Sequence, residues 1–178
     1  DARLIRAVAE TGQSITQERD RQALLPRAAE LIRDRLALSH VQIYLVSDDR
    51  TRLTRVATTD HAIVSSGTSY ALREQPALAQ VVTRGEPLLI HMGDDPAYSK
   101  LLALDAMTGL LLPIIDNDLV LGVLDLQSRR VNAFPGDAAR TLGIMASLLG
   151  TAMQNAIAFE EQERRQNEIR KLFLEAET

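Results

Sequence analysis

Apolar side chains recur along this chain in two rhythms, one of three to four residues and one of two. The order in which they alternate lays out the elements. Residues 2–10 read as a short amphipathic helix with Leu4, Ile5 and Val8 on one side, ended by Gly12 and the polar run to Asp20. Residues 21–38 form a second helix, with Leu25, Ala28, Ala29, Ile32 and Leu36 at helical spacing. Pro26 marks its true first turn or leaves a kink, and the regular part is expected to begin close to it. Val41–Ser47 then alternates as a strand: Val41, Ile43 and Leu45 face one way, Gln42, Tyr44 and Val46 the other. Asp48-Asp49-Arg50 is a turn, and Arg52–Thr58 returns antiparallel.

Residues 59–75 have no clean period, and Ser65-Ser66-Gly67 reads as a loop. Residues 76–84 make a short helix, with Pro76 in its first turn and Gly85 ending it. Pro87–His91 is a strand, Gly93–Pro96 a loop, and residues 97–104 a further short helix, for which Asp94 or Asp95 serves as cap. Thr108–Ile115 and Val120–Gln127, joined by Asp116-Asn117-Asp118, carry the plainest hairpin signal. Their nearly unbroken apolar character asks for cover on both faces.

The last helix starts near Gly136 and runs almost to the end. Leu142, Met145, Ala146, Leu149 and Met153 are its sheet-packing face. From Leu148 a seam continues through Ala152, Asn155, Phe159, Gln162, Gln166, Ile169, Phe173 and Ala176 in alternating steps of four and three, a heptad with a polar centre. The whole order predicts an antiparallel sheet of five or six strands with helices on both faces, the first and last long helices sharing one of them.

Composition narrows the function. The net charge of -4 gives no basic patch for nucleic acid and no attraction to an anionic membrane surface. With no cysteine there is no disulfide, thiolate nucleophile or thiolate metal site. The longest uninterrupted apolar run, Leu110–Ile115, falls far short of a membrane span. The chain starts without Met and ends inside a charged helical pattern, as a segment of a longer protein would. Its three histidines, His40, His61 and His91, have no metal-ligand spacing, and no nucleophile has a located base, so neither a metal, another cofactor nor catalysis is expected. Asp125, an acid inside an apolar strand, needs a partner, supplied by Arg129 or Arg130, unless it lies exposed at a sheet edge.

Leu119–Ser128, followed by Val131-Asn-Ala-Phe-Pro-Gly-Asp137, resembles the penultimate strand and the approach to the final helix of a GAF domain of the bacterial signalling type. His40–Asp48, with Tyr44, is similar to the first strand of that family, Gly85–Ile90 to the turn and strand after its third helix, and Ala97–Leu102 to the short helix over its pocket. The resemblance covers about residues 20–160. It implies an α+β, profilin-like fold and a non-enzymatic sensory or regulatory module of a cytoplasmic signal-transduction protein. Segments 1–19 and 159–178 would be terminal signalling helices around a sensory domain at 20–158, with an output domain such as a histidine kinase or cyclase attached.

A small, non-covalent ligand would then lie near Tyr44, His91 and Tyr98, unless these are a plain core aromatic, a loop-edge histidine and a packing residue. A parallel homodimer would form through Leu4, Val8, Ala152, Phe159, Ile169 and Phe173. The chain departs from the family at Leu72–Ala77, where the usual Gly-rich segment is absent, which implies a reduced pocket. It also lacks the cyclic-nucleotide signature and the cysteine used by chromophore-binding and methionine-sulfoxide-reducing members. Pro135 replaces a Thr cap before the last helix, leaving Asp137 to meet its first-turn donors. The alternatives are a ligand-free structural homodimer and, against the missing cysteine, a small-molecule-modifying enzyme.

Overall fold

Strand alternation decides the architecture. In the computed structural model, which describes residues 2–60 and 67–177, the first strand β1 (His40–Val46) sends Val41 and Ile43 into one core, with Leu45 packed against it, and Tyr44 into another on the opposite face. His61, Ser65 and Ser66 lie outside the described residues. β1 pairs antiparallel with β2 (Arg52–Thr58) on one side and with β6 (Leu119–Ser128) on the other. β3 (Ser69–Ala71), β4 (Leu88–His91) and β5 (Thr108–Asp116) complete a six-stranded sheet in the order β3-β2-β1-β6-β5-β4, antiparallel throughout. β3 lies in the stretch 59–75, which shows no clean period. Three residues at a sheet edge are too few to show one.

Helices α1 (Ala2–Gln17), α2 (Arg21–Arg35) and α5 (Ala138–Ala176) cover one face, with Val8, Ile15, Leu24, Ile32, Leu142, Met145 and Leu149 buried together against Val41, Ile43, Leu112 and Leu124. α3 (Pro76–Arg84) and α4 (Pro96–Ser99) cover the other, where Leu78, Val81, Tyr98 and Leu101 meet Tyr44, Leu53, Leu111 and Val123. The first and last long helices do share a face. Gly85 ends α3 in the left-handed region (φ 66°), which glycine adopts without penalty.

Four local expectations are corrected. α1 runs through Gly12 because that residue is buried under α5, where a β-carbon would collide with Leu148 Cδ1. A chain approach this close favours the smallest residue even inside a helix. α2 begins at Arg21, not at Pro26: Asp20 caps it, accepting from the amide of Gln22 (3.0 Å), and Pro26 stays inside. α4 closes after Ser99 rather than reaching 104. Asp137 makes no side-chain cap for α5.

From residue 158 to 176 every α5 side chain is exposed, and beyond Glu160, which Arg21 of α2 still reaches (2.9 Å), the helix runs on for about 24 Å at ~1.5 Å per residue. An 18-residue window of α5 reaches a mean hydropathy of 1.4, enough by composition and length for a membrane span, yet 44% of it is buried inside the domain. A search for uninterrupted apolar runs misses this window because polar residues are interspersed in it.

A buried polar cluster as candidate functional site

Parity along the strands carries polar residues into the core on the α3/α4 side. Gln42 and Tyr44 share a face of β1, Arg55 follows Leu53 by two on β2, and Asp125 and Gln127 follow Val123 on β6. All are buried, and Tyr44, Asp125 and Gln127 have no exposed surface. Buried polar groups must find partners, and here they find each other. Tyr98 Oη donates to Asp125 Oδ1 (2.5 Å), and Gln127 Nε2 donates to Asp125 Oδ2 (2.8 Å). Tyr44 Oη donates to Gln42 Oε1 (2.9 Å). The side-chain amides of Gln42 and Gln127 both donate to the carbonyl of Leu101 (3.0 and 3.1 Å), and Gln127 Oε1 accepts from the amide of Ala103 (2.9 Å). Two glutamines therefore pin the segment after α4 to the sheet.

Tyr98 is positioned by its helix start. Asp95 Oδ1 accepts from the amides of Ala97 (3.0 Å) and Tyr98 (3.1 Å), so Asp95, rather than Asp94, is the cap. The hydroxyl end of Tyr98 lies against β5 at Gly109, where a β-carbon would strike it. Arg55 sits against the rings of Tyr44 and Tyr70, its guanidinium carbon 5.8 and 5.7 Å from their centroids, and its Nη2 donates to Tyr70 Oη (2.8 Å). The two rings meet edge to face, centroids 6.4 Å apart.

Burial dominates the electrostatics. Desolvation pushes the Asp125 carboxyl up to about 6, against the opposing pull of its hydrogen bonds from Tyr98 and Gln127 and of the Arg55 charge. The hydroxyls of Tyr44 and Tyr98 are raised by burial first and by the Asp125 charge second, so both stay neutral donors.

The partner of Asp125 is thus Tyr98, not Arg129 or Arg130, and its position is central, not at an edge. Arg129 pairs instead with Asp105 (2.5 Å), which also lies 3.4 Å from His40 Nε2. Of the three ligand-binding candidates, the structure brings Tyr44 and Tyr98 into one cluster. His91 is exposed at the end of β4, because Ile90 takes the inward position and alternation turns its neighbour out. Sequence reasoning passed over Gln42, Arg55, Tyr70 and Gln127. Their signal was the same one that singled out Asp125, a polar residue in phase with buried neighbours.

Of the dimer candidates, Val8 and Ala152 are 2% and 3% exposed, buried in the chain's own core, and Leu4 is packed against its margin. Phe159, Ile169 and Phe173 are exposed, at 44%, 57% and 69%. Among the described residues no group of three or more acidic, His or Cys side chains converges as a metal site. A cavity of about 440 Å³ lies on the other side of the molecule, between Leu4, Leu36, Leu38, Phe134 and Leu142.

A sheet of this order, with a short helix and its following loop closed over one face and long terminal helices on the other, defines a class of α+β sensor-like domains. The profile of the GAF domain matches residues 18–154, and the chain belongs to that family. Among solved structures it is similar to the GAF domain of a phosphoenolpyruvate-protein phosphotransferase from Coxiella burnetii (18% identity over 90% of this chain and 98% of that one, TM-score 0.77). It is also similar to the corresponding domain from Acinetobacter (20%, 85% and 93%, TM-score 0.72). Free methionine-R-sulfoxide reductase from Neisseria meningitidis, solved with its substrate, matches as well (17%, 85% and 89%, TM-score 0.70). No curated protein matches the sequence. At these identities the likeness is one of fold.

Proposed function

We propose that this domain is a non-enzymatic sensory or regulatory module of a larger cytoplasmic signal-transduction protein. It binds a small molecule on the α3/α4 face and relays occupancy through α1 and α5 to an attached output domain of the histidine kinase or cyclase kind. The observation that carries this reading is the buried cluster of Gln42, Tyr44, Arg55, Tyr98, Asp125 and Gln127 beneath a loop that the two glutamines tie to the sheet. A purely structural core is as stable, or more so, with apolar residues there, because buried polar networks only roughly offset their desolvation. Fold relatives include both phosphotransferase GAF domains and a reductase. The absence of any cysteine from this chain favours the former role, since a thiolate is the usual group for reducing a sulfoxide.

Relay runs through a homodimer in this reading, with segments 1–19 and 159–178 flanking a sensory unit at 20–158. Because Val8 and Ala152 are already buried within one chain, the surface offered to a second copy is the neighbouring one: Ile5 on α1, then Ile144, Leu148, Thr151 and Asn155 on α5, continuing into Ile169, Leu172 and Phe173. This keeps the heptad positions Leu148, Asn155, Ile169 and Phe173 and replaces Ala152 by its neighbour Thr151. Parallel pairing brings both output domains together.

A second reading, a ligand-free dimerisation scaffold, is favoured by the way the cluster satisfies itself, with Tyr44 and Tyr98 wholly buried. Melting the protein against a panel of small acids, amides, amino acids and nucleotides separates the two. A saturable rise in Tm with one chemical class supports sensing, and uniformly flat melts refute it. Sedimentation of the full chain beside a version ending at Asn155 tests the relay. A dimer lost on truncation is expected, and equal behaviour of the two overturns the α5 interface.

A further inference from the structure

Among the described residues, Arg55 is the least satisfied buried charge. Its residue is 4% exposed, and its Nε–H has no acceptor among the described residues. Of the guanidinium's five N–H donors, only one finds a hydrogen-bond acceptor among the described residues, Tyr70 Oη. No carboxylate lies within ion-pair distance of it among them: both oxygens of Asp125, the nearest acid in the cluster, are taken by Tyr98 and Gln127. The ring faces of Tyr44 and Tyr70 attract the cation, but such contacts replace only part of the hydration lost. A guanidinium held this way is pre-organised, buried and short of acceptors, the state in which an arginine binds an oxyanion most strongly.

We propose that Arg55 is the anchor for a carboxylate borne by the small molecule that this face takes up. The inference rests on the ligand-binding reading given above and names the ligand's chemistry. The two ring centroids are 6.4 Å apart and lie 5.8 and 5.7 Å from the guanidinium carbon, so both rings stand to one side of it, and an incoming group meets the edge that carries the free Nε–H. A carboxylate engages the fork with its two oxygens and carries the one negative charge that the guanidinium neutralises, whereas a phosphate or sulfate dianion would leave a second charge buried without a partner. Access runs past Tyr70, which is half-buried on β3, a three-residue edge strand paired only at Arg52–Ala71, Leu53–Tyr70 and Thr54–Ser69. A short edge of this kind opens locally at little cost. The carboxylate displaces the Tyr70 hydroxyl as the acceptor on Nη2 and occupies the vacant Nε, while the rest of the ligand lies toward Tyr44.

The chain contains no tryptophan, and its three tyrosines are Tyr44, Tyr70 and Tyr98, all in this cluster. Tyrosine emission therefore reports this site and no other. The full chain is titrated at constant ionic strength with acetate, malonate, phosphate and neutral acetamide, in wild type, Arg55→Met and Arg55→Lys. The expected result is a saturable emission change with acetate or malonate in the millimolar range, none with acetamide, and weaker binding of phosphate. Arg55→Met, which removes an unpaired buried cation and keeps the volume, is expected to weaken carboxylate binding by ~30-fold or more. Arg55→Lys, which keeps the charge without the fork, weakens it by ~10-fold, and carries the comparison if the Met variant does not fold.

Carboxylate binding unchanged in the variants, phosphate binding tighter than either carboxylate, or acetamide matching acetate would each overturn the role of Arg55, the last two leaving small-molecule binding at this face intact. Silence of wild type toward all four probes overturns the anchor. If the wider melting panel is flat as well, the sensing reading falls with it.

Discussion

Asp125→Asn should change how the stability of this protein depends on pH, and the structure fixes both the sign and the size. The carboxyl titrates near 3.8 in the unfolded chain and near 6 in the fold, because it is wholly buried and its hydrogen bonds only partly offset the loss of water. Between these values the folded state holds more protons than the unfolded state, so stability falls as pH rises across the window. The shift of about two units corresponds to about 3 kcal/mol, fully present below pH ~4 and lost by pH ~7. Asparagine does not titrate. Its amide oxygen can accept from Gln127 Nε2 while its NH2 donates to the Tyr98 hydroxyl, so any change in hydrogen bonding adds an offset independent of pH.

Urea denaturation of both proteins at several values from about pH 4 to 7 isolates the effect. The stability of wild type minus that of the variant is expected to drop by about 3 kcal/mol over the range, with its midpoint between the two pKa values. Exposed carboxylates such as Asp49 and Asp105, whose pKa values are lowered, act in the opposite direction but are common to both proteins and cancel. A difference that stays flat with pH would refute the claim that Asp125 is buried as a carboxyl with a raised pKa.

Tyr98→Phe removes one of the two donors that hold the Asp125 pKa down, so the same wild-type window should extend to higher pH in that variant, read by the same denaturation series. Gly109→Ala drives a methyl group into the Tyr98 hydroxyl and should cost about 1–3 kcal/mol by urea midpoint, less when combined with Tyr98→Phe; strict additivity would deny the contact. Gly12→Ala meets only the flexible tip of Leu148 and gains helix propensity of up to about 1 kcal/mol, so its Tm should move little. A loss of more than ~2 kcal/mol would show α1 and α5 to be locked more tightly than one side-chain rotation can relieve.

Periodicity alone settled the order of elements, the antiparallel sheet and its covering on two faces. The alternation of Val41, Ile43 and Leu45 against Gln42, Tyr44 and Val46 has one sheet solution, and the spacing of Leu142, Met145 and Leu149 has one helical face. The inward facing of Tyr44 was legible for the same reason, whereas Tyr98 was placed over that face by the resemblance of Ala97–Leu102 to a short family helix. Interactions across the fold were not legible. Gly12 looks like a helix breaker until α5 is laid over it, and Ala152 looks like a free seam position until α1 claims it. Asp125 took Tyr98, 27 residues away, in place of the nearby arginines, and β2 set Arg55 against Tyr44 and Tyr70 with no ion-pair partner among the described residues. Local pattern records which face a residue occupies. Which groups share that face, and which of them are left without a partner, depends on strand order and register, and these are set only when distant segments pack.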